Sequence, residues 1–439
     1  MSTPRSDAFG ADGRGFRPQP AQRRFTVPGD SLFARYDFRL LLLGQTTSQF
    51  GAQISGVAIP LLAVLTLDAS PLELGLVTAS ATLAFALIGL PAGAWLDRVH
   101  RRPVLIASDL IRAALLCSIP LAAAFDALTI TQLVVVSLLS GVARVFFDIG
   151  YQSYLPSVVG KDHVLAGNSA LETIRASGQI VGPGLGGWLV ALIGAAHVVL
   201  IQAFTFAISA ASLAAIRGRE RPVEKPTSGV RLRHEVGEGL RYVGRHPVLS
   251  AMAFTSAVSN LAFAIASAVT FIFMSRTLHL SPTAIGVVVA LGAVFAMVGA
   301  ACTPRLARRV GSARILWLVL AATGPVGLVM PLAQPGWLVV LLFVGMAAGE
   351  FGQIVYAIGS LSLRQRVCPD QMLGRVNATM RVIIMAAFPL GALFGGVLGE
   401  VVGTRGTLWV AAAMIMLAPL PVYRALRRIR DVEDVAPAS

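Results

Sequence analysis

Long apolar runs separated by short polar breaks set the pattern of this chain. A helix needs about 20 apolar residues to cross roughly 30 Å of hydrocarbon. On that ruler the sequence predicts spans near residues 38–67, 74–95, 104–125, 128–150, 168–193 and 197–216. After a polar break come six more, near 248–275, 283–303, 314–333, 337–359, 377–400 and 406–424. The expected fold class is an all-α membrane protein with twelve transmembrane helices.

The breaks organise the chain. Residues 1–37 are polar and rich in Gly, Pro and Arg, without the apolar core of a signal peptide, and are expected to form a disordered cytoplasmic tail. A first six-helix bundle is expected over 38–216, a linker over 217–247, a second bundle over 248–424 and a C-terminal cytoplasmic tail over 425–439. Within the linker, Leu232, Val236, Leu240 and Val243 recur at helical spacing, as in an amphipathic helix at the membrane surface or a charged tether between bundles. The two halves also repeat. Asn168 to Gly187 matches Asn377 to Gly396 at a constant offset, with Gly186-Gly187 over Gly395-Gly396. Parallel repeats of this kind put a transport path at the interface between the halves.

Composition sharpens the membrane reading. Hydrophobic residues make up 55% of 439 and charged residues 13%, with a mean hydropathy of +0.73. The net charge of +14 is almost wholly arginine, since only Lys161 and Lys225 are lysines. The basic residues gather in alternate loops and at the span ends beside them; the other loops hold only Arg276 and Arg405, and Arg112, Arg144, Arg175 and Arg381 fall within spans. That asymmetry orients a multi-pass protein of the inner or plasma membrane with both termini in the cytoplasm, and it argues against nucleic acid as a partner. Cys117, Cys302 and Cys368 lack the spacing of a disulfide framework or a metal site, and no metal or cofactor is expected.

Candidate chemistry lies in a few places. The loop Leu96-Asp97-Arg98-Val99-His100-Arg101-Arg102-Pro103 follows Gly89 and Gly93 between spans two and three, and Asp97 is an unusual acid among basic neighbours. Arg101 and Arg102 serve equally well as topology signals. A blurred copy, Pro304 to Arg314, keeps the basic charge and lacks the acid. Charges inside spans are expensive, so each is a functional candidate. Arg144 and Asp148 share a face of span four, and Asp109 and Arg112 a face of span three; both pairs suit a gate, and Asp148 also suits proton carriage. Glu350 stands in span ten among Gly345, Gly349 and Gly352 with no basic residue within a turn, either a reversible proton site or the partner of an arginine such as Arg381. Gln45, Ser48, Gln49 and Gln53 on span one, with Arg381, are candidate cavity-lining residues.

In span five, Gly178, Gly182 and Gly186 share one face that admits a close partner helix, and Pro183 favours a kink. The run Gly178 to Gly187 resembles the Gly-x3-Gly-Pro-x2-Gly-Gly motif of drug/proton antiporters. The loop at Gly89 to Arg102 resembles the signature of the major facilitator superfamily, with His100 where glycine is usual. Glu238 to Leu249 and Met372 to Asn377 are similar to segments of its enterobactin-exporter and macrolide-efflux branch. The resemblance implies a fold of two pseudo-symmetric six-helix bundles, with Asp97 and Arg98 helping to lock the inner gate. Many relatives carry an acid after the glycine matching Gly51; here Ala52 stands there, which moves weight to Glu350 and Asp148. The expected function is export of a bulky amphipathic small molecule by proton antiport, by a monomer whose partners are that substrate, protons and the bilayer. A proton-coupled uptake symporter or a non-transporting scaffold are the alternatives. No nucleotide-binding loop and no grouping of nucleophile, base and orienting residue suggests an enzyme.

Overall fold

A computed structural model describes residues 32–96, 98–218, 232–431 and 434. The tail up to residue 31, Asp97, the linker over 219–231 and the end of the C-terminal tail lie outside the described residues. The first half comprises α1 (Tyr36–Leu65), α2 (Pro71–Leu96), α3 (Arg101–Ala124), α4 (Ile130–Val159), α5 (Val164–Ile193) and α6 (Ala195–Ala215). After α7 (Leu232–Arg245) come α8 (Pro247–Ile272), α9 (Pro282–Val310), α10 (Arg314–Gly327), α11 (Val339–Val367), α12 (Asp370–Leu417) and α13 (Leu420–Leu426). Gly403, at φ 76° and ψ 168°, breaks α12 into two arms that cross separately, so the spans number twelve. The protein is an all-α membrane protein of two pseudo-symmetric six-helix bundles.

Helix ends follow local chemistry. Pro71, Pro247 and Pro282 open helices where the missing N–H costs nothing. The hydroxyls of Thr129 and Ser281 accept the N–H of Gln132 and Ala284 at the starts of α4 and α9. Gly160 and Gly194, at φ 79° and 83°, end α4 and α5. Several helices run past the predicted spans: α4 continues to Val159 and α11 to Val367. Hydropathy marks the hydrocarbon, whereas the backbone bonds of a helix hold equally well beyond it.

One face of the bundle carries the loops after α2, α4, α9 and α11 together with α7; it is called the basic face here, and its opposite the far face. On the far-face side a single apolar core draws residues from both halves, among them Leu61, Leu74, Phe206, Phe273, Ile285 and Leu408. Towards the basic face the core divides, with Phe38, Leu105 and Tyr154 in one half and Leu249, Leu316 and Val376 in the other. The halves are therefore joined at the far face and separately packed at the basic face.

Ties within each half explain residues whose roles the sequence left open. Arg102 donates to the carbonyls of Leu213 (2.9 Å) and Ala214 (2.6 Å), where the C-terminal end of α6 leaves acceptors unpaired. The Asp37 carboxylate accepts the backbone N–H groups of Arg217 and Gly218, each at 2.9 Å. His100 sits at φ −65°, so the loop before α3 has no need of glycine's freedom. The α7 helix does not lie free on the surface: it packs on α12 and α8, with Val243 buried and Leu240 exposed.

His246 joins α7 to α8, and its Nδ1 accepts the Leu249 N–H at 3.4 Å. Burial lowers its imidazole below the ordinary value of 6.5. The unfolded chain then takes up the proton more readily than the folded one, so this cap is fully stabilising above that value and is lost as pH falls from there. His246→Asn keeps an acceptor without the titration. Thermal unfolding of the variant should lose this part of the fall between about pH 7 and pH 5.

Candidate functional site

Two seams hold the halves together at the far face, and both are built from glycine. In the first, a Cβ on Gly286 of α9 would lie 2.9 Å from the Cα of Gly187 on α5 and would strike the Pro183 carbonyl. In the second, a Cβ on Gly75 of α2 would lie 3.0 Å from the Cα of Gly396 on α12 and 2.6 Å from the Ala392 carbonyl. Gly187 and Pro183 correspond to Gly396 and Ala392 at the offset of the repeat, so the seams are pseudo-symmetric copies. The remaining glycines of the span-five motif face inward instead. A Cβ on Gly186 would meet the Ile54 carbonyl at 2.5 Å, and one on Gly182 would strike the Gln53 side chain, both on α1. One motif thus serves two contacts: one within its half, the other between halves.

Polar ties reinforce this closure. The Arg276 guanidinium, after α8, pairs with Asp68 at 2.6 Å and also reaches the Val64 carbonyl at 3.4 Å. The Leu72 N–H donates to Glu400 at 3.2 Å. Nothing in the local sequence connects Asp68 with Arg276, since 208 residues separate them.

On the basic-face side of the seams, a cavity of about 280 Å³ lies between the halves. Its walls include Phe85, Gly89 and Ile149 from the first half and Asn377, Arg381 and Met385 from the second. Arg381 stands over the Phe85 ring at 4.8 Å, a cation–π contact across the halves. Arg381 therefore has an aromatic neighbour and does not pair with Glu350. Glu350, about 16 Å along α11 from its start, is half-buried and forms no hydrogen bond or ion pair among the described residues. Gly292 of α9 lies beside it: a Cβ there would stand 3.5 Å from the Glu350 Cγ, an ordinary contact.

The charged pairs in the first half divide by burial. Asp109 and Arg112 are buried with 3.5 Å between them, and the guanidinium lies over the Phe206 ring at 3.7 Å. Arg144 and Asp148 pair at 3.3 Å in a more open position. Both members of this second pair are near enough to act on Arg112 electrostatically, so the four form one neighbourhood. Arg98 is exposed and makes no ion pair with a described residue; its expected companion Asp97 is not described. Glu172 and Arg175 form a two-pronged pair at 2.5 and 2.9 Å on α5. Gln45 and Ser48 are buried within the first half, Gln49 and Gln53 lie along the α1–α5 contact, and none of the four lines the cavity.

Two segments far apart in sequence meet beside the cavity. Glu238 of α7 pairs with Arg375 of α12 at 3.0 Å, and a Cβ on Gly239 would lie 2.9 Å from the Arg375 carbonyl. They belong to the two runs that resemble the exporter branch. Gly239→Leu should overpack this contact, lower the unfolding temperature by an amount matching about 1–3 kcal/mol, and reduce transport. Thermal unfolding in detergent checks the first effect and vesicle transport the second.

A twelve-helix bundle of two repeated halves, joined at one face and with a cavity between them, defines a membrane transporter of the alternating type. The profile of the Major Facilitator Superfamily matches residues 41–376, and the chain belongs to that family. It is a multi-pass membrane transporter of small molecules and not an enzyme. A multidrug efflux pump of Mycolicibacterium fortuitum is 28% identical over 409 residues, covering 90% of this chain and 96% of the relative. An enterobactin exporter of Citrobacter koseri is 27% identical over 420 residues, covering 91% and 95%. Among solved structures, a bacterial homologue of the iron transporter ferroportin in an inward-facing state superposes with a TM-score of 0.73 at 18% identity, covering 88% of this chain and 98% of that one. A bacterial homologue of the lysosomal transporter Spinster, also inward-facing, gives 0.70 at 14% identity, covering 94% and 100%.

Proposed function

We propose that this transporter exports a bulky amphipathic small molecule, of drug, macrolide or siderophore-like character, from the cytoplasm by proton antiport. The basic face is the cytoplasmic one, both termini lie there, and the membrane is the cell membrane. The halves over 38–216 and 248–424 rock about the cavity within a monomer, with residues 217–247 joining them. Efflux is supported by full-length likeness to a multidrug pump and an enterobactin exporter, and by the antiporter glycine motif of α5.

The observation that carries proton coupling is Glu350, a half-buried carboxyl at mid-depth without a partner among the described residues. Such a group is free to take a proton on one side and release it on the other as the halves rock. Asp148, already paired with Arg144 in an accessible place, is the second proton carrier. Asp97, Arg98, Arg144, Asp109 and Arg112 form the inner gate, with the buried Asp109–Arg112 pair as its fixed part.

The test is a substrate screen in a bacterial strain lacking its own efflux pumps. Expression should lower the retention of a macrolide, a fluorescent amphipathic dye or a catecholate siderophore, and a protonophore should restore it. Higher retention on expression would mean uptake, and no change with any compound would mean that export of this class is wrong.

A further inference from the structure

At the basic-face end of the second half, a cleft of about 870 Å³ is lined by Arg309, Arg314, Arg427, Arg428 and Arg430, together with Trp317, Leu318 and Tyr423. We propose that this cleft is a binding site for the phosphate headgroup of an anionic glycerophospholipid, entering from the leaflet on that face. The site is independent of what the carrier transports and lies apart from the cavity between the halves.

The cleft is assembled by specific local structure. Arg309 ends α9 and Arg314 begins α10, with Gly311 between them at φ 103°. The segment after α13 is clipped onto this turn: the Arg430 carbonyl accepts the N–H groups of Ala313 (3.1 Å) and Arg314 (3.3 Å). The Asp431 carboxylate accepts the N–H of Ser312 at 2.9 Å and its hydroxyl at 3.2 Å. A Cβ on Gly311 would push against Arg430. Two helix ends and the C-terminal segment therefore bring five guanidinium groups to one hollow.

Among the described residues, little compensates the charge there. The ion pair at the cleft is Arg430 with Asp431, at 3.8 Å, and Asp431 is also engaged with Ser312. Arg309, Arg314, Arg427 and Arg428 form no side-chain ion pair or hydrogen bond with a described residue. Guanidinium forks match phosphate oxygens, and a phosphate in the hollow satisfies several at once.

The remaining lining distinguishes a lipid from a free anion. Trp317 and Tyr423 meet edge to face at 5.0 Å, within a turn of their helix ends, where aromatic residues sit at headgroup level. Leu318, Leu420 and Tyr423 present exposed apolar surface beside the arginines. A ligand with a phosphate and acyl chains uses both parts, and basic hollows between spans are suited to such headgroups. In the first half the related loop is committed elsewhere, since Arg102 is bound to the end of α6. The second copy, which lacks the acid, instead brings Arg309 and Arg314 to this hollow.

Full-length protein in neutral detergent tests the site, with Trp317 fluorescence as a local probe read as the difference from Trp317→Phe. Brominated phosphatidylglycerol or cardiolipin should quench this signal at concentrations at least about tenfold below those needed with brominated phosphatidylcholine. The triple variant R314Q/R427Q/R428Q should lose that preference, and R428Q alone, which leaves the clip at Arg430 intact, should weaken it severalfold. Equal quenching by the neutral and anionic lipids, or an unchanged preference in both variants, would overturn the proposal. So would displacement of the anionic lipid by millimolar inorganic phosphate, since the hollow would then be a free-anion site.

Discussion

Proteoliposomes carrying Glu350→Gln should bind substrate and fail to concentrate it. One proton crossing 100 mV provides about 2.3 kcal/mol, which sustains a gradient of about fiftyfold. The amide resembles the protonated carboxyl in shape but cannot release a proton, so that gradient should collapse to unity. Counterflow, which exchanges substrate without net proton movement, should persist. The physical basis is the setting of the side chain: it lies beside Gly292 of α9, and no described arginine pairs with it. Asp148→Asn should have a smaller effect, because Asp148 already has Arg144 at 3.3 Å and serves only as the second carrier. A wild-type gradient in Glu350→Gln would remove this residue from the coupling and leave Asp148 to carry it.

The second large effect is expected at the glycine seam. Gly187→Val places a branched side chain where the Gly286 Cα lies 2.9 Å from even a bare Cβ. The obstacle is backbone, so no rotamer relieves it, and overpacking costs about 1–3 kcal/mol. If the seam opens and closes in the cycle, that cost falls on the closed far face alone and shifts the ratio of states by about 5- to 150-fold. Transport should fall accordingly, and a cysteine placed behind the seam should become reactive to a membrane-impermeant thiol reagent. Gly184→Ala is the internal control. Its nearest neighbour is the Ala290 Cβ at 3.8 Å, an ordinary contact, so transport should be unchanged. Equal tolerance at Gly187 and Gly184 would mean that the seam remains closed throughout transport or is not part of it.

Much of the architecture was legible because a bilayer imposes a simple rule on apolar length. The spans, the repeat and the parting near residue 403 follow from runs of residues and their punctuation. The glycine array of α5 was legible as a packing surface, but its division between two partners was not. Spacing reveals which positions share a helical face; it does not reveal that Gly186 meets Ile54 while its neighbour Gly187 meets another half of the molecule. Long-range polar pairs were invisible for a related reason. Asp68 with Arg276 and Glu238 with Arg375 are joined by tertiary approach, and nothing in either local sequence marks its partner. The polar row of α1 is a further case: spacing marks Gln45 and Ser48 as cavity-lining candidates, and it does not reveal that both side chains are buried within the first half.

The two seams have a consequence for the balance between states. Where backbone meets backbone through glycine, few side-chain atoms are buried, and the seam itself adds little apolar area to the core beside it. Transfer free energy scales with that area, at roughly 25 cal/mol per Å², so a glycine contact resists separation less than interlocked leucines would. The seams therefore register the two halves without adding much to the energy of holding them closed. A proton on one carboxyl or a bound solute shifts the balance between faces only by its differential affinity for the two states.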